Sequence, residues 1–207
     1  MVTVGVTGGI GSGKSTVCEI WSQMGAYILN ADDLAKELMV SKPEIRDELV
    51  QTFGAEAFAD DGSLNRKYLA KEAFERDRVD ELNAIVHPQI PGAAQEKMAI
   101  AEQEGYEVFV YEAALLLENL EPGALDFIVL VLADEQQRLE RVQERDESSA
   151  EDIRQRMAKQ RNFEESTDKA DIIIRNNGTL KELKKKAEIV YEKFLPLSGK
   201  NENNSHK

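Results

Sequence analysis

Apolar residues follow two rhythms along this chain. Five short runs are almost continuously apolar: Val2–Thr7, Ala26–Leu29, Val108–Glu112, Phe127–Leu132 and Asp171–Ile174. Strands covered on both faces of a parallel sheet have that character. Between the runs, apolar positions recur every three or four residues, the mark of one helix face. The alternation predicts an α/β fold, a doubly wound five-stranded parallel sheet with a right-handed crossover at each step. The span from residue 30 to 107 is too long for one crossover helix. It holds DDLAKELM, PEIRDELVQTFG, RKYLAKEAF and DELNAIV, each with helical spacing, and reads as an inserted helical lobe.

A second insertion is QQRLERVQERDESSAEDIRQRMAKQRN, residues 136–162. Ser149 or Ser148 caps its second helix, with Asp152 in the first turn. The stretch carries Arg138, Arg141, Arg145, Arg154, Arg156, Lys159 and Arg161. One reading is a solvated hairpin laced with ion pairs between successive turns. The other is an arginine-rich lid between the fourth and fifth strands of a phosphate-binding sheet. The expected organisation is a single domain with a core over 1–32, 106–135 and 168–198. A helical lobe covers about 33–105, a lid about 136–165 and a disordered tail about 199–207.

Composition narrows the class. A chain of 207 residues, 42% apolar and 31% charged, has the make-up of an ordinary globular protein with one good core. No apolar run reaches membrane-spanning length, and the N-terminus reads as a strand rather than a leader. The lone Cys18 excludes an internal disulfide, suits a reducing compartment and is expected to pack as a small hydrophobe. A cytoplasmic protein without membrane association is expected, as a monomer or weak homo-oligomer. Net charge of −13 argues against general binding of nucleic acid, which needs a basic stripe. The C-terminal KELKKKAEIVYEKF interleaves Glu182, Glu188 and Glu192 with its lysines and reads as a solvated helix face.

The chemistry is concentrated near the start. Gly8-Gly9-Ile10-Gly11-Ser12-Gly13-Lys14-Ser15 fits G-x-x-x-x-G-K-[ST] at every position. The first apolar run precedes it. Val17, Ile20, Trp21 and Met24 follow on one helix face, and Gly25 supplies a left-handed stop. Backbone N–H groups at a helix N-terminus bind anions, so the loop is expected to hold a nucleoside triphosphate. Lys14 would reach the β- and γ-phosphates, and Ser15 would join Mg²⁺. A glycine-rich turn that binds nothing is the plain alternative, and both flanks argue against it.

Asp32 follows the second strand, at the strand end where such sheets bind ligands, and a carboxylate there can take the proton of an attacking hydroxyl. The alternative is that Asp32 or Asp33 merely caps the next helix. Glu112 ends the third strand as a candidate metal-side carboxylate; Glu118 nearby reads as structural. TDKAD at 167–171 comes close to a guanine-reading N-K-x-D, but Asp168 replaces Asn and Asp171 begins a strand.

In order and spacing, TGGIGSGKS, ADDLA, DGSLNRKYLAKEAF, LNAIVHPQI, ALLLEN, LVLADEQQRLERVQERD and KADIIIRNNG resemble the dephospho-coenzyme A kinase family. The likeness covers about residues 2–178 and is most specific in the loop and in Val86–Ile90. It implies ATP-dependent phosphorylation of the ribose 3′-hydroxyl of dephospho-coenzyme A, with Mg²⁺. It also implies a nucleotide core, a helical substrate lobe and a lid. The implied catalytic residues are Asp32 and Lys14. The nucleotide set is Gly9, Gly11, Ser12, Gly13, Lys14, Ser15, Thr16, Arg141, Arg145 and Asn176. Asp32, Arg66 and His87 fall on the substrate side, Arg141, Arg145 and Arg156 on the lid, and Ser15 and Glu112 on the metal.

Three positions depart from the family's habit. Asn30 replaces a common acid, Ala114 a proline with Glu112 for Asp, and Ser166 a basic residue. Other readings of the residues are a kinase of the same fold acting on a nucleoside monophosphate or sugar, and a nucleotide-binding switch. A switch needs no acceptor base such as Asp32.

Overall fold

The computed structural model describes residues 1–119, 123–146, 149–160 and 162–198. The chain opens with β1 (Val2–Thr7), the glycine loop, α1 (Lys14–Gln23) and β2 (Tyr27–Asn30). A helical stretch follows as α2 (Ala31–Ser41), α3 (Pro43–Phe53), α4 (Arg66–Ala70), α5 (Val79–Val86) and α6 (Ile90–Gln103). Then come β3 (Val108–Glu112), α7 (Leu116–Asn119), β4 (Phe127–Leu132), α8 (Glu135–Asp146) and α9 (Ala150–Ala158). β5 (Ile172–Arg175), α10 (Leu180–Tyr191) and α11 (Leu195–Ser198) complete the described chain.

The strands form one sheet in the order β2-β3-β1-β4-β5. β1 pairs in parallel with β3 and β4, and β4 with β5. The chain therefore crosses from β3, on one side of β1, to β4 on the other. The loop after β1 sits at that reversal, where open parallel sheets bind ligands. The central strands are buried valines, among them Val4, Val6, Val108, Val110, Val129 and Val131. β-Branched side chains suit a pleated surface covered on both faces.

One face carries α1 and α10. Trp21 is fully buried, meets the ring of Phe194 edge-on at 5.6 Å and donates from Nε1 to the Ala187 carbonyl at 2.8 Å. Leu183, Ala187, Val190 and Tyr191 line the inner face of α10, while its lysines stay outside, as the charge pattern predicts. Each large side chain buried here contributes about 1.5–3 kcal/mol. Opposite, Leu130, Leu132 and Phe163 form a second apolar layer. Cys18 is buried as expected.

Two compact units are distinguished, residues 1–29 with 101–207, and residues 30–100. The smaller is helical. Its core includes Leu34, Leu38, Ile45, Leu49, Phe53 and Leu69. At its centre Glu72 is 2% exposed, 2.7 Å from Arg76 and 3.0 Å from Arg78. Arg78 also bonds Glu81 and the Thr52 carbonyl and lies 4.5 Å over the Phe53 ring. The RKYLAKEAF helix changes pitch here: α4 stops at Ala70, and Lys71–Glu75 is a π-helical turn. Asp77, at φ +56°, ends it in the left-handed region.

Several boundaries differ from the sequence reading. β2 begins and ends one residue later than Ala26–Leu29, and β5 one later than Asp171–Ile174. Asn30, rather than Asp32 or Asp33, caps α2, its side chain accepting from the Asp33 amide at 3.0 Å. Helix α6 has no counterpart in the sequence reading. Gly25 has the expected positive φ, and Ser149 is the cap of α9, accepting from the Asp152 amide. Ser148, Arg161 and the 199–207 tail lie outside the described residues. Among the described residues no helix is long and apolar enough to cross a membrane.

Candidate active site

The glycine loop is held by the segment after β5 and by the α8–α9 hairpin, both in the larger unit. Gly13, at φ +100°, is the N-cap of α1 and turns the chain from loop into helix. A side chain is disfavoured there twice over, by that backbone angle and because a Cβ would collide with the Asn176 amide. Asn176 is 5% exposed and donates from Nδ2 to the Ser12 carbonyl at 2.8 Å. Its own backbone N–H bonds Leu132 at the end of β4. The loop that follows β5 thus acts as a strut under the phosphate loop.

Lys14 lies across the loop, its ammonium donating to the carbonyls of Gly8 at 2.9 Å and Gly9 at 3.4 Å. Ser15 is exposed at the start of α1, and Ser12 is buried with an Oγ that has no hydrogen-bond partner. Thr7, at the end of β1, donates to the Ala114 carbonyl, tying the loop's entrance to the segment after β3. Glu112 is 8% exposed at the end of β3. It faces the Cys18 thiol, which burial and the neighbouring carboxylate push well above its ordinary pKa. Cys18 is therefore held as a neutral thiol.

The α8–α9 hairpin is joined to the loop by apolar and polar contacts. Leu139, Val142, Ile153 and Met157 form its small core, and Ile10 from the tip of the loop packs against them. Gln160 accepts the Ile10 amide at 2.9 Å. Arg141 donates to Asn176 O at 2.9 Å, Gln137 Oε1 at 3.1 Å and Gly11 O at 3.5 Å. Asn177 fixes the start of α8 by exchanging hydrogen bonds with Asp134. Arg145 and Arg156 both pair with Asp146 instead, at 2.6 and 3.2 Å. That pairing draws Asp146 down to about 2.

Gly9, Gly11, Ser12, Gly13, Lys14, Arg141 and Asn176 thus come together, while Arg145 and Arg156 are engaged with each other through Asp146. In the helical unit, Asp32 is exposed in the first turn of α2, and Arg66 is exposed at the first position of α4, whose cap is Asn65. His87 is exposed where α5 passes into a 3₁₀ turn. Two supporting residues escaped the sequence reading, Gln160 and Asn177, while Arg138 was read only as one of the basic residues of the 136–162 insertion and not as a site residue. Gln160 and Asn177 carried no signal, because ordinary polar residues acquire their role only from the backbone groups they meet.

Among the described residues no three His, Cys, Asp or Glu side chains cluster as a metal cage. The oxygen donors Ser15 and Glu112 suit a cation such as Mg²⁺, which keeps water and substrate phosphate among its ligands.

The sequence matches the dephospho-CoA kinase family over residues 2–182. It is 42% identical over 192 residues to the dephospho-CoA kinase of Salinibacter ruber, covering 92% of this chain and 96% of that one. With the dephospho-CoA kinase of Corynebacterium glutamicum it shares 37% identity, over 89% of this chain and 95% of the relative. Among solved structures, dephospho-CoA kinase from Campylobacter jejuni superposes with a TM-score of 0.69 at 25% identity, covering 96% and 98% of the two chains. TT1252 from Thermus thermophilus gives a TM-score of 0.76 at 31% identity, over 93% and 97%. With the complete loop, the strand order and agreement along nearly the whole length, the chain belongs to the dephospho-CoA kinase family.

Proposed function

We propose that this chain carries out its family's reaction, ATP-dependent phosphorylation of the ribose 3′-hydroxyl of dephospho-coenzyme A, with Asp32 as acceptor base and Lys14 on the transferring phosphate. The last step of coenzyme A synthesis is its place in metabolism. The observation that carries the reading is the loop itself. A complete phosphate-binding sequence lies between β1 and α1 at the sheet's reversal, with two cations, Lys14 and Arg141, bonded to its carbonyls.

Phosphoryl transfer asks little covalent work of a protein; positioning and charge stabilisation supply most of the rate. Backbone N–H groups of Gly11, Gly13, Lys14, Ser15 and Thr16 hold the phosphates, and Lys14 neutralises charge that builds between β and γ. Asp32 orients the 3′-hydroxyl and accepts its proton as the new P–O bond forms and the γ-phosphorus separates from ADP. Arg141 and Asn176 serve the nucleotide side, Arg145 and Arg156 the lid, and Arg66 and His87 the substrate. The exposure of Asp32, Arg66 and His87 supports those roles, since none is consumed in holding its helix. Ser15 and Glu112 would hold Mg²⁺, which would supply positive charge to the phosphates when bound. The domain plan is a core, a helical substrate lobe over about 33–105 and a lid over about 136–165. The enzyme works as a cytoplasmic monomer or weak homo-oligomer without nucleic acid.

A coupled assay of ADP release tests the reading. With ATP and Mg²⁺, dephospho-coenzyme A should be turned over, on the order of 1–100 per second. Nucleoside monophosphates and sugars should be poor acceptors. Preference for one of those acceptors, or ATP binding without transfer to any, would overturn it.

A further inference from the structure

Arg76, Arg78, Arg145, Arg156 and Arg175 each lie against a carboxylate. Arg138 lies against the phosphate loop. Its guanidinium covers Gly9 so closely that a Cβ on Gly9 would stand 2.5 Å from Nη1 and 3.0 Å from Cζ. Its backbone is close as well, the Arg138 carbonyl standing where a side chain on Gly11 would go. The guanidinium is partly buried, and its Nε is enclosed with no hydrogen-bond partner.

Burial presses against the charge, and Glu135 is the neighbour that favours it. A guanidinium cannot relieve that pressure by losing a proton, and its five donors are fixed in a plane. In a chain with 39 acidic and 26 basic residues, carboxylates are in surplus. That this arginine sits on a glycine of the loop, and not on one of them, marks the position as chosen for an anion from outside the chain.

We propose that Arg138 is a third cation of the nucleotide site, binding the polyphosphate held by the loop beside Lys14 and Arg141. Gly9 is then glycine for a reason of space: any side chain would push the guanidinium off the loop. The inference rests on the kinase reading above and adds to it a residue that anchors the nucleotide.

The test measures dissociation constants for ATP and AMP and the ligand-free melting temperature. It compares the wild type with Arg138→Gln, Arg138→Lys, Gly9→Ala and the double variant Gly9→Ala/Arg138→Gln. Charge-assisted hydrogen bonds are worth about ten- to a hundredfold in affinity. Arg138→Gln should lose about that much for ATP, far less for AMP, and melt as the wild type does. Arg138→Lys should fall between. In the Arg138→Gln background, Gly9→Ala should weaken ATP less than it does alone, because both changes remove one contact.

ATP affinity of Arg138→Gln within about twofold of wild type would overturn the inference, as would equal losses for ATP and AMP. Should Arg138→Gln fail to fold, Arg138→Lys decides by the same ratio: a selective loss for ATP supports the contact and unchanged affinities overturn it. A wild-type protein that binds no ATP would overturn the kinase reading and this one together. Wild-type binding with an indifferent Arg138 removes this one alone.

Discussion

The two compact units put their polar side chains to different uses. In residues 30–100, buried charge is matched by charge: Glu72 sits between Arg76 and Arg78, and Arg78 is further bound to Glu81, the Thr52 carbonyl and the face of Phe53. Around the phosphate loop, Arg141, Asn176 and Gln160 bond instead to neutral backbone or amide groups, and Lys14 reaches the carbonyls of Gly8 and Gly9. Charge satisfied inside the protein holds a fold together. A cation that rests on carbonyls, as Arg141 does, brings positive potential to a place where an anionic ligand can meet it.

Breaking the loop side should give the largest effect. Lys14→Ala removes the charge that the proposed mechanism sets on the transferring group, worth roughly 2.7–4 kcal/mol, or about a hundred- to thousandfold in rate. Circular dichroism should remain that of a folded protein, since the lysine's contacts with the Gly8 and Gly9 carbonyls lie at the loop and not among the apolar side chains of the core. A folded variant that keeps more than about a tenth of the rate would refute the loop's role.

Removing Arg78 should act the other way. Arg78→Met leaves Glu72 buried with one partner fewer, at a loss of about 1.5–3 kcal/mol in unfolding free energy. The rate per folded molecule should hold. A rate loss without a stability loss would move this cluster from scaffold to site.

The arginines of the α8–α9 hairpin divide on the same principle. Arg141→Ala should lower turnover about tenfold or more. Arg145→Ala should lower it less, because Arg145 is engaged with Asp146. Steady-state kinetics on both variants reads the difference directly, and a larger effect at Arg145 would mean that the Asp146 pair opens when nucleotide binds.

The smallest effect belongs to Asp146. Its folded pKa of about 2 lies below the ordinary value, so its ion pairs contribute stability at neutral pH. That contribution is full above the unfolded value of about 3.9 and is lost as pH falls through the folded one. Arg145 is 59% exposed, which screens the pair. Asp146→Asn should therefore cost less than about 1 kcal/mol at pH 7, shrinking with added salt. A melting difference that persists below pH 2 would contradict the assignment.

The fold was legible where burial is complete. β1, β3 and β4 begin and end where the apolar runs do, since both faces of a central strand are covered. The edge strands β2 and β5 shifted by one, because an edge tolerates polar residues such as Asn30 and Arg175 in the ladder. Asp171, read as strand, instead accepts the Ile128 amide with its carboxylate just before β5 starts. Helix α6 was illegible for a different reason: IPGAAQEKMAIAEQ opens with Pro-Gly and buries small alanines, so its apolar rhythm is faint.

At the site, the loop was readable because its chemistry is local: spacing alone sets which amides point at an anion. The struts were not. Asn176 and Gln160 reach across 164 and 150 residues of sequence to single backbone atoms, and no local pattern encodes such a contact. The cap of α2 shows the same limit at short range. Either aspartate fits the start of a helix, yet Asn30 takes the role and leaves both carboxylates outside it.

That last detail makes Asp32 the sharpest test of the account. Asp33 is paired with Lys36 at 2.6 Å, Asn30 holds the cap, and Asp32 has no part in either contact. Asp32→Asn should leave melting within about 1 kcal/mol of wild type, the scale of a helix-dipole interaction, and ATP affinity unchanged. General-base catalysis is worth about a hundred- to ten-thousandfold, so turnover of dephospho-coenzyme A should fall by at least about a hundredfold. Asp33→Asn, measured beside it, should stay within a few-fold of wild type. A dead Asp33→Asn with a healthy Asp32→Asn would place the base one residue on, and two healthy variants would contradict the mechanism.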